Sequence, residues 1–261
     1  MWHPANPILN TLTYQPGDRQ ILATPEMFGV PFEDLWLNTS DGETVNAWFV
    51  RAVGEPLGHM LFAHGNGGNI GDRSPMLAML AAAGFDVLVF DYRGYGRSTG
   101  QTSEQGTYRD VRAARDALLA QPGVAPNRVV YLGKSLGGGV MLELANALPP
   151  AALLLMSTFT GLRDAAAAVY PFLPKIFVPN AYPSMRRIGR LKCPVLIMHG
   201  DADELLPVRM GRELFAAAPE PKELMIYPGG MHNDLIGFPG WAKTVAEWAA
   251  GVLPPGRLTS G

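Results

Sequence analysis

The sequence predicts an α/β fold: a mostly parallel, doubly wound sheet, preceded by an antiparallel hairpin and interrupted by a small cap. Three observations carry this. From residue 59 onward, short apolar runs alternate with segments of helical pattern. The runs are continuous rather than alternating, as strands covered on both faces by helices require. One interval, 159–191, is longer than an ordinary crossover and rich in proline and aromatic residues.

Taken in order, residues 1–31 are rich in Pro, Asn and Gly, show little periodicity, and read as a lead-in that wraps the surface. Segments 34–38 and 44–51 flank Ser40-Asp41-Gly42, a hairpin signal in which glycine accepts a left-handed turn. Apolar runs follow at 59–63, 86–90, 128–132, 152–156, 194–198 and 223–227, with helical patterns at 74–83, 108–120, 136–148, 208–217 and 241–253. Such β-α alternation places the strands in parallel with helices on both faces. The 159–191 interval carries Pro171, Pro174, Pro179 and Pro183. It reads as a cap over the C-terminal edge of the sheet, where open α/β folds bind ligands. Phe159, Tyr170, Phe172 and Phe177 are its candidate pocket residues; a packed loop without substrate contact is the alternative. At 261 residues without internal repeats, the chain is expected to form one domain.

Composition narrows the function. A hydrophobic fraction of 48% with 17% charged residues is that of a globular protein. A net charge of −2 and a pI of about 6.2 give no electrostatic footprint for nucleic acid, and no basic amphipathic stretch points to an anionic membrane. No apolar run reaches the length of a membrane span, and Met1-Trp2-His3-Pro4 lacks the charged start and apolar stretch of a signal peptide. A cytoplasmic protein without integral membrane association is therefore expected. The single cysteine, Cys193, cannot form an internal disulfide and reads as a small hydrophobe at a strand edge rather than a catalytic thiol.

The motif G-x-S-x-G occurs twice, around Ser98 and around Ser135. A nucleophile elbow must leave a strand and turn at once into a helix, lifting the hydroxyl above the sheet. Ser135 follows the apolar run ending at Leu132 and precedes an apolar helical pattern, whereas Ser98 lies in a glycine-rich loop followed by Gln-Thr-Ser-Glu-Gln-Gly. Ser135 is the candidate nucleophile. Of five histidines, His3 lies in the irregular start, His59 begins a strand, and His64 and His199 precede glycines at strand ends, where they shape turns. His232 alone sits in a loop between the last predicted strand and the last helix, placed to reach the serine as a base. The orienting carboxylate comes from His199-Gly-Asp-Ala-Asp-Glu204, where Asp201, Asp203 and Glu204 all compete and residues two apart point alike. Asp234 is too near His232 in sequence for that role. Finally, His64-Gly65-Asn66-Gly67-Gly68-Asn69 ends a strand with glycines that admit close approach of backbone to a ligand; it lacks the lysine of a phosphate-binding P-loop. The backbone N–H groups of Asn66 and Leu136 are the candidate oxyanion donors, and losing one such donor typically costs about 3–4 kcal/mol.

Together, HGNGGNIGDR at 64–73, VLVFDYRGYGRS at 87–98, GKSLGG at 133–138, HGDAD at 199–203 and GGMHND at 229–234 resemble the Bem46-like branch of the α/β-hydrolase superfamily, over about residues 31–252. The resemblance implies the α/β-hydrolase fold and a serine hydrolase needing no metal or organic cofactor. In that family the acidic member stands three residues after the His-Gly glycine, which matches Asp203; the histidine matches His232 and the elbow serine Ser135. Asp91-Tyr92-Arg93-Gly94 carries over as a structural turn. The order serine, acid, histidine is that of the superfamily. Serine at the elbow argues against the aspartate chemistry of dehalogenases and epoxide hydrolases, and against a thiol enzyme of the dienelactone-hydrolase type. The expected substrate is a small-molecule or acyl ester, with thioesterase or acyl-protein hydrolase next and peptidase third. A non-catalytic binding module on the same fold is the reading from another class.

Overall fold

The computed structural model describes residues 13–255. Eight strands form one sheet: β1 (Phe32–Asn38), β2 (Thr44–Val50), β3 (Gly58–Ala63), β4 (Phe85–Phe90), β5 (Val129–Lys134), β6 (Ala152–Met156), β7 (Val195–Gly200) and β8 (Lys222–Tyr227). Their spatial order is β1-β2-β4-β3-β5-β6-β7-β8. β2 runs antiparallel to both its neighbours, in register from Phe32↔Val50 to Asn38↔Thr44 with β1, and the remaining pairs are parallel. The doubly wound sheet with its antiparallel hairpin is therefore formed as expected.

Continuous apolar strands suit this position because alternate side chains feed two separate cores. Leu61, Leu88, Tyr131 and Leu155 enter one layer, and Met60, Val87, Leu132 and Leu154 the other. Among the described residues the sheet is flanked by the helices α1 (Ser74–Ala82), α2 (Glu104–Ala120), α3 (Leu136–Ala147), α4 (Leu162–Val169), α5 (Ser184–Ile188), α6 (Arg209–Ala217) and α7 (Trp241–Val252). α2, α3 and α6 cover the Leu61 layer, while α1 and α7 cover the Met60 layer. Cys193 is buried in the first of these, and burial pushes its thiol up to about 11.

Several details differ from expectation. α2 begins at Glu104 rather than Tyr108, because the Ser103 hydroxyl accepts the Gly106 N–H at 3.1 Å and caps the helix earlier. The 159–191 interval contains two helices, α4 and α5, joined through a 3-10 turn at Lys175–Phe177. The described part of the lead-in is also no mere surface wrapping. Gln15 makes a parallel bridge with Gly67, the Tyr14 hydroxyl lies 2.8 Å from that of Tyr182, and Asn69 Nδ2 donates to the carbonyls of Asp18 and Gln20. This stretch lies across the glycine loop after β3; residues 1–12 fall outside the described residues. Among the described residues no helix is long and apolar enough to cross a membrane.

Candidate active site

β5 runs two residues past its predicted end, to Lys134, and α3 starts at Leu136, so Ser135 is the whole of the turn between them. Its φ of 52° and ψ of −114° lie outside the regions an ordinary L-residue prefers. Such strain persists because the surroundings over-determine it. The Ser135 N–H donates to the Met156 carbonyl at 2.9 Å, and its carbonyl accepts the Gly138 N–H at 3.0 Å. Glycine at 137 is required by close approach, since a methyl there would run into the Ala63 carbonyl at the end of β3. The start of α3 also directs unpaired N–H groups and positive potential toward Ser135. Ser98 has a different life. It is fully buried, donates to the Asp91 carbonyl at 2.9 Å and accepts the Asn46 N–H at 2.9 Å, bracing the loop after β4 against β2.

β7 and β8 supply the second part of the site. His232, in the loop after β8, places Nδ1 2.8 Å from Asp203 Oδ2, leaving Nε2 for the cavity that the ring lines. Asp203 Oδ1 accepts the N–H groups of Leu205 and Leu206, at 3.0 and 2.7 Å. Burial pushes the Asp203 carboxyl up, but hydrogen bonds from His199, His232 and the Leu206 amide outweigh it and hold the group well below the usual carboxylate range. The competing acids are occupied elsewhere. Asp201 accepts the Gly229 N–H at 2.6 Å, Glu204 accepts the His232 N–H at 3.1 Å, and Asp234 accepts the Met231 N–H at 2.7 Å. Glu204 thus fixes the backbone of the histidine that Asp203 orients. His199 does shape a turn, through Nε2 to the Leu206 carbonyl at 2.8 Å, and the same nitrogen also lies 3.3 Å from Asp203. That second contact has no sequence signal beyond position.

Ser135 and His232 line one cavity of about 530 Å³, together with Leu136 and the Gly65-Asn66-Gly67 loop. His64 holds this loop from below: its Nδ1 meets the Gly65 carbonyl at 2.7 Å, while the Tyr92 hydroxyl donates to the His64 carbonyl at 2.7 Å. The Asn66 side-chain oxygen accepts the Tyr95 hydroxyl and the Gln15 N–H, which pins the residue. Among the described residues neither the Asn66 nor the Leu136 backbone N–H has a protein acceptor, and both residues border the cavity.

Of the four predicted pocket aromatics, Phe159 and Tyr170 line the cavity, but Phe172 and Phe177 do not. Phe172 is 83% exposed and Phe177 63% exposed, because in the segment after α4 their neighbours Leu173 and Val178 take the cavity-facing positions instead. The apolar wall is α4 instead. Leu162, Ala165, Ala166 and Val169 face the cavity at helical spacing, a pattern legible in the sequence that the prolines around it obscured. Two cations also line the cavity, Arg73 and Lys134, and the sequence reading missed both.

A family model described as “Serine aminopeptidase, S33” (Hydrolase_4) matches residues 54–186 and 182–236. “Uncharacterized protein Rv2307c” of Mycobacterium tuberculosis is 41% identical over 203 residues, covering 77% of this chain and 72% of that protein. “Protein bem46” of Schizosaccharomyces pombe is 31% identical over 244 residues, covering 90% and 82%. In fold, the chain is similar to the Pyrococcus furiosus esterase Pf2001, with a TM-score of 0.78 at 18% identity over 93% of this chain and 99% of that one. The sheet order, the elbow between β5 and α3 and these alignments agree, and the chain belongs to the Bem46-like branch of the α/β-hydrolase superfamily.

Proposed function

We propose that the chain is a serine hydrolase that cleaves carboxylic esters through an acyl-enzyme, with the 159–191 segment acting as a small cap over a single catalytic domain. The observation that carries this reading is a strained strand-to-helix serine sharing a cavity with a histidine whose Nδ1 is held by a buried carboxylate. Ser135 Oγ attacks the ester carbonyl carbon as His232 Nε2 takes its proton; Asp203 fixes the tautomer and stabilises the imidazolium. The N–H groups of Asn66 and Leu136 receive the oxyanion. Collapse of the tetrahedral intermediate breaks the C–O bond, and the leaving alkoxide takes the proton from His232. Water then attacks the acyl-enzyme with His232 again as base, returning Ser135.

The apolar face of α4 favours an acyl or alkyl chain. An aminopeptidase reading is disfavoured by charge. A free substrate ammonium would meet Arg73 and Lys134, and among the described residues Asp72 is the one acid that lines the cavity, with its Oδ2 already on the Asn69 N–H at 3.1 Å. Labelling with a fluorophosphonate probe tests the proposal. Strong labelling lost in Ser135→Ala and kept in folded Ser98→Ala supports it; no labelling of the folded wild-type chain overturns it in favour of a binding module. A panel of p-nitrophenyl esters and acyl-CoA thioesters of increasing chain length then ranks ester against thioester.

A further inference from the structure

Two cations, Arg73 and Lys134, line the cavity beside Ser135 and the glycine loop, and the acid that lines it with them, Asp72, is held on the Asn69 N–H. Lys134 is the last residue of β5 and adjoins Ser135; its side chain is buried, and among the described residues its ammonium has one hydrogen-bond partner, Asn233 Oδ1 at 2.8 Å. Arg73 follows the glycine loop in sequence, and its Nη2 donates to the Gly67 carbonyl while its Nε is buried with no partner among the described residues. Among the described residues neither cation forms a salt bridge. The chain treats other sheltered arginines differently: Arg93 sits between Asp41 and Asp110, and Arg112 is bidentate on Glu143. Burial of unpaired charge is costly, and the cost is visible here. Burial, reinforced by repulsion from Arg73, pushes the Lys134 ammonium down to about 8 against the pull of Asp203 and Asp234. Burial likewise draws the Arg73 guanidinium below its ordinary range, with Asp72 and Asp91 opposing. What two such donors lack is an acceptor carrying negative charge.

We propose that Arg73 and Lys134 form an anion subsite beside Ser135, so that the substrate is an amphiphilic ester bearing a carboxylate or phosphate near the scissile bond and a hydrocarbon chain along α4. The substrate class rests on the serine-hydrolase reading; the subsite itself does not. An anion there makes charge-assisted hydrogen bonds to Lys134 Nζ and the Arg73 guanidinium, while the chain replaces water against Leu162, Ala166 and Val169. The two ends together fix the carbonyl over Ser135.

Binding to the full-length Ser135→Ala protein, which needs no turnover, tests the subsite by calorimetry with octyl phosphate, octanoate and octanol. At least one anionic ligand is expected to bind about tenfold more tightly than octanol. Lys134→Met should erase most of that preference and Lys134→Arg should retain it, with the melting temperature of each variant confirming the fold. A stronger octyl phosphate response identifies a phosphate headgroup, a stronger octanoate response a carboxylate. Equal binding of all three ligands overturns the proposal, and so does an anion preference that survives both Lys134→Met and Arg73→Gln. Failure of the hydrolase reading is seen separately, as absence of fluorophosphonate labelling in the wild-type chain.

Discussion

Asp203 concentrates the electrostatics of the proposed triad in one carboxylate. It accepts two backbone N–H groups and lies against two imidazoles, so it stays ionised well below the usual carboxylate range. The sign of the pH effect follows. A carboxyl whose folded pKa is depressed contributes stability that is complete above its unfolded value, near pH 4, and that is lost as pH falls toward the folded value. Asp203→Asn is therefore expected to lower the urea midpoint at pH 7, with the gap from wild type narrowing as pH drops below about 4. Its effect on turnover is larger, because an amide can hold the wrong tautomer of His232; a loss of roughly 10³–10⁴ in kcat is expected in an ester assay. Lys134 titrates in the opposite sense. With the free ammonium near 8, the anion preference described above weakens as pH rises past that value.

At the scale of elements, glycines in helices divide by what surrounds them. A methyl at Gly137 in α3 would strike the Ala63 carbonyl, whereas one at Gly251 in α7 would meet nothing. Gly137→Ala is expected to destabilise by about 1–3 kcal/mol through overpacking, and Gly251→Ala to stabilise by about 0.5–1 kcal/mol through helix propensity; thermal denaturation of both separates them by sign. Elements of this chain differ likewise in how plainly their residues announce them. The central strands are legible because each is an unbroken apolar run, and the elbow because an apolar strand and an apolar helix flank one serine. α2 is misplaced at its start since Gly106 breaks the periodicity while the cap at Ser103 restores it. α4 goes unseen because the prolines that follow it dominate the reading. The histidine and acid stand out by loop position and family resemblance. Arg73 and Lys134 carry no such signal, as isolated cations acquire meaning only when β3, β5 and the glycine loop bring them to one cavity.

Across the whole molecule, the sheet is a rigid frame on which separate walls of the cavity are hung. β5 and β7 are buried on both faces, so they hold Ser135 and Asp203 at fixed heights. The glycine loop and α4 are not strands of that frame. Both are tied through the stretch before β1: Gln15 bridges Gly67 and donates to Asn66, and Tyr14 meets Tyr182, whose neighbour Ala181 accepts the Leu162 N–H at the start of α4 at 3.1 Å. Residues far from Ser135 in sequence thus act as a drawstring, gathering the glycine-loop wall and the α4 wall around one opening. Loosening it should slacken the mouth while the frame holds. In Tyr14→Ala, amide hydrogen exchange is expected to quicken at 66–69 and 181–185 but not along β5 or β6.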